Sequence, residues 1–233
     1  RLVYWPLLKS GDVDLMKPQF DFYNRLLRNA KLRTQVYWGH GGASFTEQLE
    51  LLGLPVGFEY SWKRPAFYDK GVQYNKWVDY QWDTVLEFCF MMLEAHRYAG
   101  MDIKPYLPLM ESALRFYDEH YQYLAERRSP EKLDANGHLV LYPGTACETY
   151  KMATNATSTI CALKSVLTGL LALGSTGPQT NDTSFLHPAT YTYLEGLLTR
   201  IPPISFREMN GHKVIAPAKS FERINNTEIP QLY

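Results

Sequence analysis

The sequence predicts an all-α fold. Apolar residues recur at the three- and four-residue spacing of a helix over most of the chain, whereas strand-like stretches are few and short. Predicted helices that are apolar on every side alternate with amphipathic ones, and the connections hold many Trp, Tyr, His and acidic residues. This alternation suits helix pairs stacked in an inner and an outer layer, as in an (α/α)6 toroid whose loops form a cleft. A plain helical bundle and an α-solenoid share the pattern, and no repeat of fixed period separates the three.

Five segments carry the helical pattern. The first is 12–29, and the clearest is 83–99, where apolar residues occupy positions i, i+3, i+4 and i+7 and also cover the opposite side. Segment 106–127 is amphipathic, and its polar side, which includes Asp118, is predicted to face outward. Segment 153–173 is again apolar nearly all round and is predicted to be buried, whereas 188–201 is amphipathic.

Three stretches interrupt this pattern. Residues 139–142 form a short apolar run that is predicted to be a strand. Asn210-Gly211 predicts a tight hairpin turn between 204–206 and 213–215. Residues 38–82 are a long Gly- and aromatic-rich connection, and structured loops of this length more often build sites than cores.

Composition argues against several functional classes. The 233 residues include 24 Lys and Arg and 24 Asp and Glu, so the formal charge is zero. This balance gives no support for nucleic acid or an anionic membrane as the main partner. No uninterrupted apolar run approaches the roughly 20 residues that a membrane span needs. The 17 Tyr and 5 Trp could stack on sugar rings, although filling a helical core is the simpler role.

Common catalytic and metal-binding motifs are missing from the sequence. Cys89, Cys147 and Cys161 form neither a Cys-x-x-Cys pair nor a disulfide framework. No Gly-x-Gly-x-x-Gly follows a strand, and there is no Walker loop, Gly-x-Ser-x-Gly elbow or His-Glu-x-x-His. The sequence therefore does not support the commonest classes of nucleotide-binding protein, hydrolase and zinc protease.

Glu148, in the segment LYPGTACETYKMATNATSTI (141–160), is the acid of most interest. With Thr145 it matches the capping box Ser/Thr-x-x-Glu, in which the two side chains satisfy backbone amides at a helix start. The same place at the mouth of a buried helix suits a general acid, because partial burial disfavours the charged form and raises the pKa of a carboxyl group. The residues alone leave both interpretations open.

Other loop residues could complete an active site. A glycosidase uses two carboxyl groups across the scissile bond, and further acids lie in predicted loops, namely Glu47, Asp79, Asp83, Glu222 and Glu228. His40, between glycines in Trp38-Gly-His-Gly-Gly, could bind a sugar hydroxyl or act as a base. A merely exposed loop histidine is the alternative.

Four segments together resemble the catalytic domain of glycoside hydrolase family 95, which contains α-L-fucosidases and α-L-galactosidases. They are VYWPLLKSGDVDLMKPQFDFY (3–23), WGHGGASFTEQ (38–48), LYPGTACETYKMATNATSTI (141–160) and IPPISFREMNGHKVIAPAKSFERINNTEIPQLY (201–233). They follow the order of the family and span nearly the whole chain. The ensemble is most similar to a divergent bacterial branch of the six-hairpin glycosidases.

The resemblance implies an inverting glycosidase that removes a terminal sugar from an oligo- or polysaccharide. Glu148 matches the general acid of the family, and Glu222, followed by Glu228, is the best match for the base. Two such carboxyl groups lie about 6.5–9.5 Å apart. The chemistry needs no metal or organic cofactor. The residues expected to bind sugar are Trp5, Trp38, His40, Glu47, Trp62, Asn225, Asn226 and Glu228.

Departures from the family pattern bear on specificity. Glu47 stands where the family has an Asp, and Asn-Thr-Glu-Ile-Pro-Gln-Leu-Tyr replaces the His-rich motif near the C-terminus. Residues 1–233 are expected to form one domain of a longer enzyme, because the chain starts inside an aromatic segment and stops just after an apolar one. The resemblance implies a β-rich domain upstream and a periplasmic or extracellular location. A non-catalytic carbohydrate-binding or scaffold protein and an α/α-toroid polysaccharide lyase are the alternative functions.

Overall fold

The computed structural model describes residues 3–56, 58–59, 62–74, 78–175, 185–225 and 229. Within these ranges the chain forms six α-helices and two 3-10 turns, the latter directly before α2 and α4. The helices are α1 (Tyr4–Ser10), α2 (Lys17–Trp38), α3 (Thr84–Ala99), α4 (Leu107–Glu126), α5 (Thr157–Ser175) and α6 (Pro188–Arg200). All five predicted helical segments are therefore confirmed, with α2 starting later and running further than expected.

Seven short strands form three antiparallel sheets in the described residues. They are β1 (Phe58–Glu59), β2 (Trp62–Lys63), β3 (Gly144–Ala146), β4 (Tyr150–Ala153), β5 (Phe206–Met209), β6 (His212–Ile215) and β7 (Arg223–Ile224). β1 pairs with β2, β5 pairs with β6, and β4 lies between β3 and β7. The hairpin predicted around Asn210-Gly211 is confirmed, since β5 and β6 are joined there and both turn residues have positive φ.

The predicted all-α toroid is wrong, because the fold mixes helices with small antiparallel sheets. The difference arises mainly before α5, where the sequence predicts that a short strand passes directly into a helix. Instead β3 and β4 pair with each other, and β7 joins them from the far end of the chain. Three non-glycine residues of this region adopt left-handed backbone angles that a helix cannot contain: Cys147, Met152 and Asn155.

The stretch 139–142 is not a strand, which corrects a second prediction. Its Leu139 and Leu141 side chains are fully buried, as the apolar run suggests. Its backbone is held by single contacts instead of a ladder: the Leu139 amide donates to the carbonyl oxygen of Arg200 at 2.8 Å. The Leu141 amide donates to Oδ1 of Asn155 at 2.9 Å.

Helix α3 lies at the centre of the core and packs against α1, α2, α4 and α5. This agrees with its predicted burial, and Leu86, Cys89 and Met92 are completely inaccessible. α5 packs tightly on α3, because a Cβ on Gly169 would lie 2.8 Å from the side chain of Leu93. By length and composition α5 could also cross a membrane, with a mean hydropathy of 1.4 over residues 157–174, of which 44% is buried. Its packing against α3, α4 and α6 places this apolar helix in the core.

Candidate functional site

One end of the helical core collects segments that are far apart in the sequence. Loop 78–83 leads into α3, and the β3–β4 hairpin leads into α5. Oγ1 of Thr145 in β3 donates a hydrogen bond to the carbonyl oxygen of Asp79. The amide of Asn225, just after β7, donates to the carbonyl oxygen of Thr149 at 2.8 Å. We call loop 78–83, this hairpin, the first turn of α5 and β7 the hairpin site.

Glu148 lies in the turn of this hairpin. The turn comprises residues 147–149, and Cys147 has a φ of 50° there. The capping-box interpretation of Glu148 is wrong, because Thr145 is a strand residue and α5 starts only at Thr157. Glu148 is half-buried in this turn.

Asp83 connects the start of α3 to the start of α5. Its Oδ2 accepts a hydrogen bond from Oγ1 of Thr159 at 3.0 Å and one from Oγ of Ser158 at 3.5 Å. Burial, and next the charge of Asp83, raise the pKa of Tyr117 and of Tyr121. The hydroxyl of Tyr117 is buried and has no hydrogen-bond partner within the described part of the chain. The core under the hairpin is therefore polar on one side.

Buried polar residues are concentrated in the hairpin and the first turn of α5. They are Thr145, Thr149, Lys151, Asn155, Thr157, Ser158 and Thr159. Lys151 is only 1% exposed, although removing an ammonium group from water is costly. Several of these side chains hydrogen-bond groups of other segments, so the set ties the hairpin and the start of α5 to loop 78–83 and to residue 216. Sequence reasoning missed Lys151, and the signal that could have found this region is the polar run TNATST directly before an apolar helix.

The register of β7 keeps Glu222 away from Glu148. Arg223 pairs with Lys151 in β4, so Glu222 lies beyond this pair, on the side away from the turn that holds Glu148. The exposed Glu222 accepts at Oε1 a hydrogen bond from the hydroxyl of Tyr142 at 3.2 Å, at the end of the hairpin opposite its turn. Burial and the charge of Glu222 raise the pKa of Tyr142. The two predicted catalytic acids therefore flank opposite ends of β4.

Asn225 is a predicted sugar-binding residue that lies beside the hairpin turn. Its backbone contact with Thr149 places it beside the residue that follows Glu148, and it is half-buried. Asn226 and Glu228 lie outside the described residues.

Three other predicted sugar-binding residues belong to elements outside the hairpin site. Trp5 in α1 donates from Nε1 to Oε1 of Glu87 at 3.1 Å, and its ring packs on Phe90 of α3. This is a helix-packing role. Glu47 is half-buried in the connection between α2 and β1. Trp62 belongs to β2, and its side chain lies outside the described part of the structure.

Trp38 and His40 belong to a compact aromatic–histidine cluster. Its members are Trp38, His40, Trp82, Phe116, His120 and Tyr123. The His120 ring stacks on Phe116 with centroids 4.6 Å apart, and Trp38 meets it edge-on at 4.7 Å. Trp82 belongs to loop 78–83, so this cluster adjoins the hairpin site. Sequence reasoning missed His120, because it lies within a helix whose inward side reads as aromatic core.

Both ring nitrogens of His40 are engaged within the protein. Nδ1 lies 2.8 Å from the carbonyl oxygen of Gly41, and Nε2 lies 3.0 Å from Nδ1 of His120. His40 therefore has no ring nitrogen left for a sugar hydroxyl while these contacts hold. Among the described residues, no three His, Cys, Asp or Glu side chains are grouped so that they could hold a metal ion.

The buried imidazole of His120 predicts a loss of stability in mild acid. Burial, and next the neighbouring His40, lower the pKa of His120 from 6.5 to about 3. The unfolded chain therefore binds a proton at His120 at a higher pH than the folded chain does. The free energy of unfolding falls as the pH drops from 6.5 towards 3. At about pH 5 the expected loss from this residue is roughly 2 kcal/mol.

Urea unfolding at about pH 7.5 and at about pH 5 measures this loss. His120→Asn is the matched control, since its amide can still donate to His40 but cannot titrate. We expect the variant to lose roughly 2 kcal/mol less than the parent between the two conditions. Equal losses in the two proteins would contradict the assignment.

Comparison with known proteins finds no relative: family models, curated proteins and solved structures each give no match to this chain. The function proposed below therefore rests on the residues and contacts of the chain itself.

Proposed function

We propose that this chain forms part of a glycoside hydrolase in which Glu148 donates a proton to the glycosidic oxygen. One observation carries the proposal: three of the four segments that bear the resemblance to family 95, namely 38–48, 141–160 and the described part of 201–233, have residues at the same end of the molecule, whereas α1 in segment 3–23 packs on α3. Loop 78–83 links them, since it contacts β3 through Asp79 and the end of α2 through Trp82. If these segments lay far apart on the surface, the residues that resemble the family could not form one site.

The chemistry assigned to Glu148 follows from its place in the hairpin turn. A general acid must be within reach of the leaving-group oxygen and must exchange its proton with solvent between turnovers. A half-buried turn residue meets both conditions. Trp38 and Trp82, at the adjoining cluster, are the rings best placed to stack on a sugar. Glu222 is the proposed base, and it would activate water on the opposite face of the sugar.

Glu148→Gln tests the proposal on glycosides that differ in their leaving group. Loss of a general acid should lower kcat/KM by about 10²-fold or more on a phenyl or alkyl glycoside. The loss should be much smaller on a dinitrophenyl glycoside, because that leaving group departs without a proton. Glu222→Gln should instead lower both rates to a similar extent, since a base acts on water.

Glu195→Gln on the exposed side of α6 is the matched control, and circular dichroism checks that all variants fold. Wild-type turnover by Glu148→Gln on every substrate would sink the assignment of the acid. A loss that is the same for all leaving groups would assign Glu148 a different catalytic role.

Carbohydrate binding without catalysis is the second candidate function. The separation of Glu222 from Glu148 favours it, because the described residues then hold no demonstrated pair of opposed carboxylates. A protein that binds oligosaccharides in a Trp38-dependent manner but releases no sugar would support this alternative.

A further inference from the structure

The hydrogen bonds of the His40–His120 pair have a fixed direction. A carbonyl oxygen can only accept, so Nδ1 of His40 carries the proton that points to Gly41. In neutral His40 the other nitrogen, Nε2, has a lone pair, and Nδ1 of His120 must donate to it across 3.0 Å. Neutral His120 then has its lone pair on Nε2. That nitrogen has no hydrogen-bond partner among the residues that the structure describes.

We propose that Nε2 of His120 is a proton-accepting site and that the pair relays the resulting positive charge to His40. A proton from water or from a bound hydroxyl forms a new N–H bond at Nε2 of His120. The Nδ1–H bond of His120 breaks, and that proton passes to Nε2 of His40. His40 becomes an imidazolium ion that donates to Gly41 and to His120. His120 ends neutral, as the opposite tautomer, so one proton enters and one charge appears.

The surroundings of the two rings explain why the charge comes to rest on His40. His120 is 3% exposed and is enclosed by aromatic rings, so a charge on it would lose its hydration. His40 is half-buried and lies nearly parallel to the Trp38 ring, with centroids 6.1 Å apart. An imidazolium over an indole face gains a favourable cation–π contact.

Charged groups near the pair come from α4. The carboxylate of Glu119 accepts a hydrogen bond from the Gly41 amide at 2.5 Å, directly beside His40, and pairs with Arg115 at 3.2 Å. Tyr123 faces both imidazoles, and Arg127 lies over its ring. From α2 and loop 78–83 the pair meets Trp38 and Trp82, which are uncharged. Glu119 bonds the loop of His40 directly, and its sign favours an imidazolium there, whereas Arg115, whose side chain also lies against Gly41, opposes part of this effect.

The relay lets a buried imidazole take up a proton without carrying the charge itself. A relay of this kind can accept the proton that the hydroxyl group of a ligand loses during reaction or binding. It does not rest on the glycosidase proposal, because the relay is a property of the two rings and can be observed without any substrate.

Ring-nitrogen NMR of the ¹⁵N-labelled protein tests the relay during an acid titration. In alkaline solution both histidines should be neutral and protonated at Nδ1. As the pH falls, His40 should become protonated on both nitrogens. His120 should change from the Nδ1–H to the Nε2–H tautomer over the same range and stay singly protonated.

Two results would overturn the relay. In the first, His120 keeps its Nδ1 proton while His40 becomes doubly protonated. In the second, His120 itself becomes doubly protonated over the same pH range. His40→Gln provides an independent check, because glutamine cannot take the charge. In that variant the tautomer of His120 should not change over the pH range in which the parent switches. A switch that persists without His40 would also contradict the proposal.

Discussion

Replacing Asp118 by asparagine is expected to lower the free energy of unfolding by about 3–5 kcal/mol. Asp118 in α4 is 3% exposed and receives two hydrogen bonds from Arg200 of α6, at 3.0 Å from Nε and 2.7 Å from Nη2. The hydroxyl of Tyr193 donates to it at 2.9 Å, and Nε2 of Gln122 donates at 2.8 Å. Asparagine keeps the size of the side chain but removes the charge, which leaves a partly buried guanidinium without its counterion.

Urea denaturation measures this effect, and Tyr193→Phe is the matched control. Burial, and next the charge of Asp118, raise the pKa of Tyr193, so its hydroxyl stays a neutral donor at ordinary pH. Removing that hydroxyl deletes one of the four hydrogen bonds and should cost about 1 kcal/mol. If Asp118→Asn costs no more than Tyr193→Phe, then the ion pair does not hold α6 on α4.

Asp118 also shows where sequence patterns stop being informative. The amphipathic pattern of 106–127 predicts that Asp118 faces outward, and this is wrong because α6 covers that side of α4. A helical pattern separates polar from apolar positions, but it does not state which polar position meets another helix. The partner here, Arg200, is 82 residues further along the chain.

The same reason explains the error in fold class. Helical periodicity is local, so each predicted helix is present, although α2 starts later and ends well beyond its predicted bounds. The pairing of β4 with β7 joins segments about 70 residues apart and leaves only two to four residues of extended chain for a pattern to detect. A short polar strand and a helix start look alike in such a stretch. The sequence pattern therefore places Glu148 at a helix start, although it lies in a hairpin turn.

For the candidate site, sequence patterns identify segments that meet in the fold more reliably than they identify the individual residues that contact one another. It singled out 38–48 and 141–160, which do lie at the same end of the core. Asp83 was noted only as one of several loop acids, and His120 and Lys151 were missed. Their importance depends on burial and on partners supplied by other elements. Conversely, Trp5 fits a sugar-stacking residue by type but packs between two helices.

Replacing Gly42 by alanine is expected to destabilise the fold by about 3 kcal/mol or more. Gly42 has a φ of 87°, and a Cβ there would overlap backbone atoms of Phe116 and lie 2.9 Å from the carbonyl carbon of Arg115. Backbone atoms of a helix cannot move aside as a flexible side chain can. The loop after α2 must therefore separate from α4, although the next residue is tied to it by a 2.8 Å hydrogen bond from the Ala43 amide to the Ser112 carbonyl oxygen.

Gly39→Ala separates the clash from the backbone strain. Gly39 also has a positive φ, 73°, but a Cβ there meets nothing within 4 Å, so only the strain of roughly 1–2 kcal/mol applies. Urea denaturation of the two variants measures the difference. Gly42→Ala should also break the contact between His40 and His120, which the ring-nitrogen spectrum reports directly, whereas Gly39→Ala should keep it. Equal destabilisation of the two variants would mean that the loop does not lie against α4, and the histidine pair would then lose its structural basis.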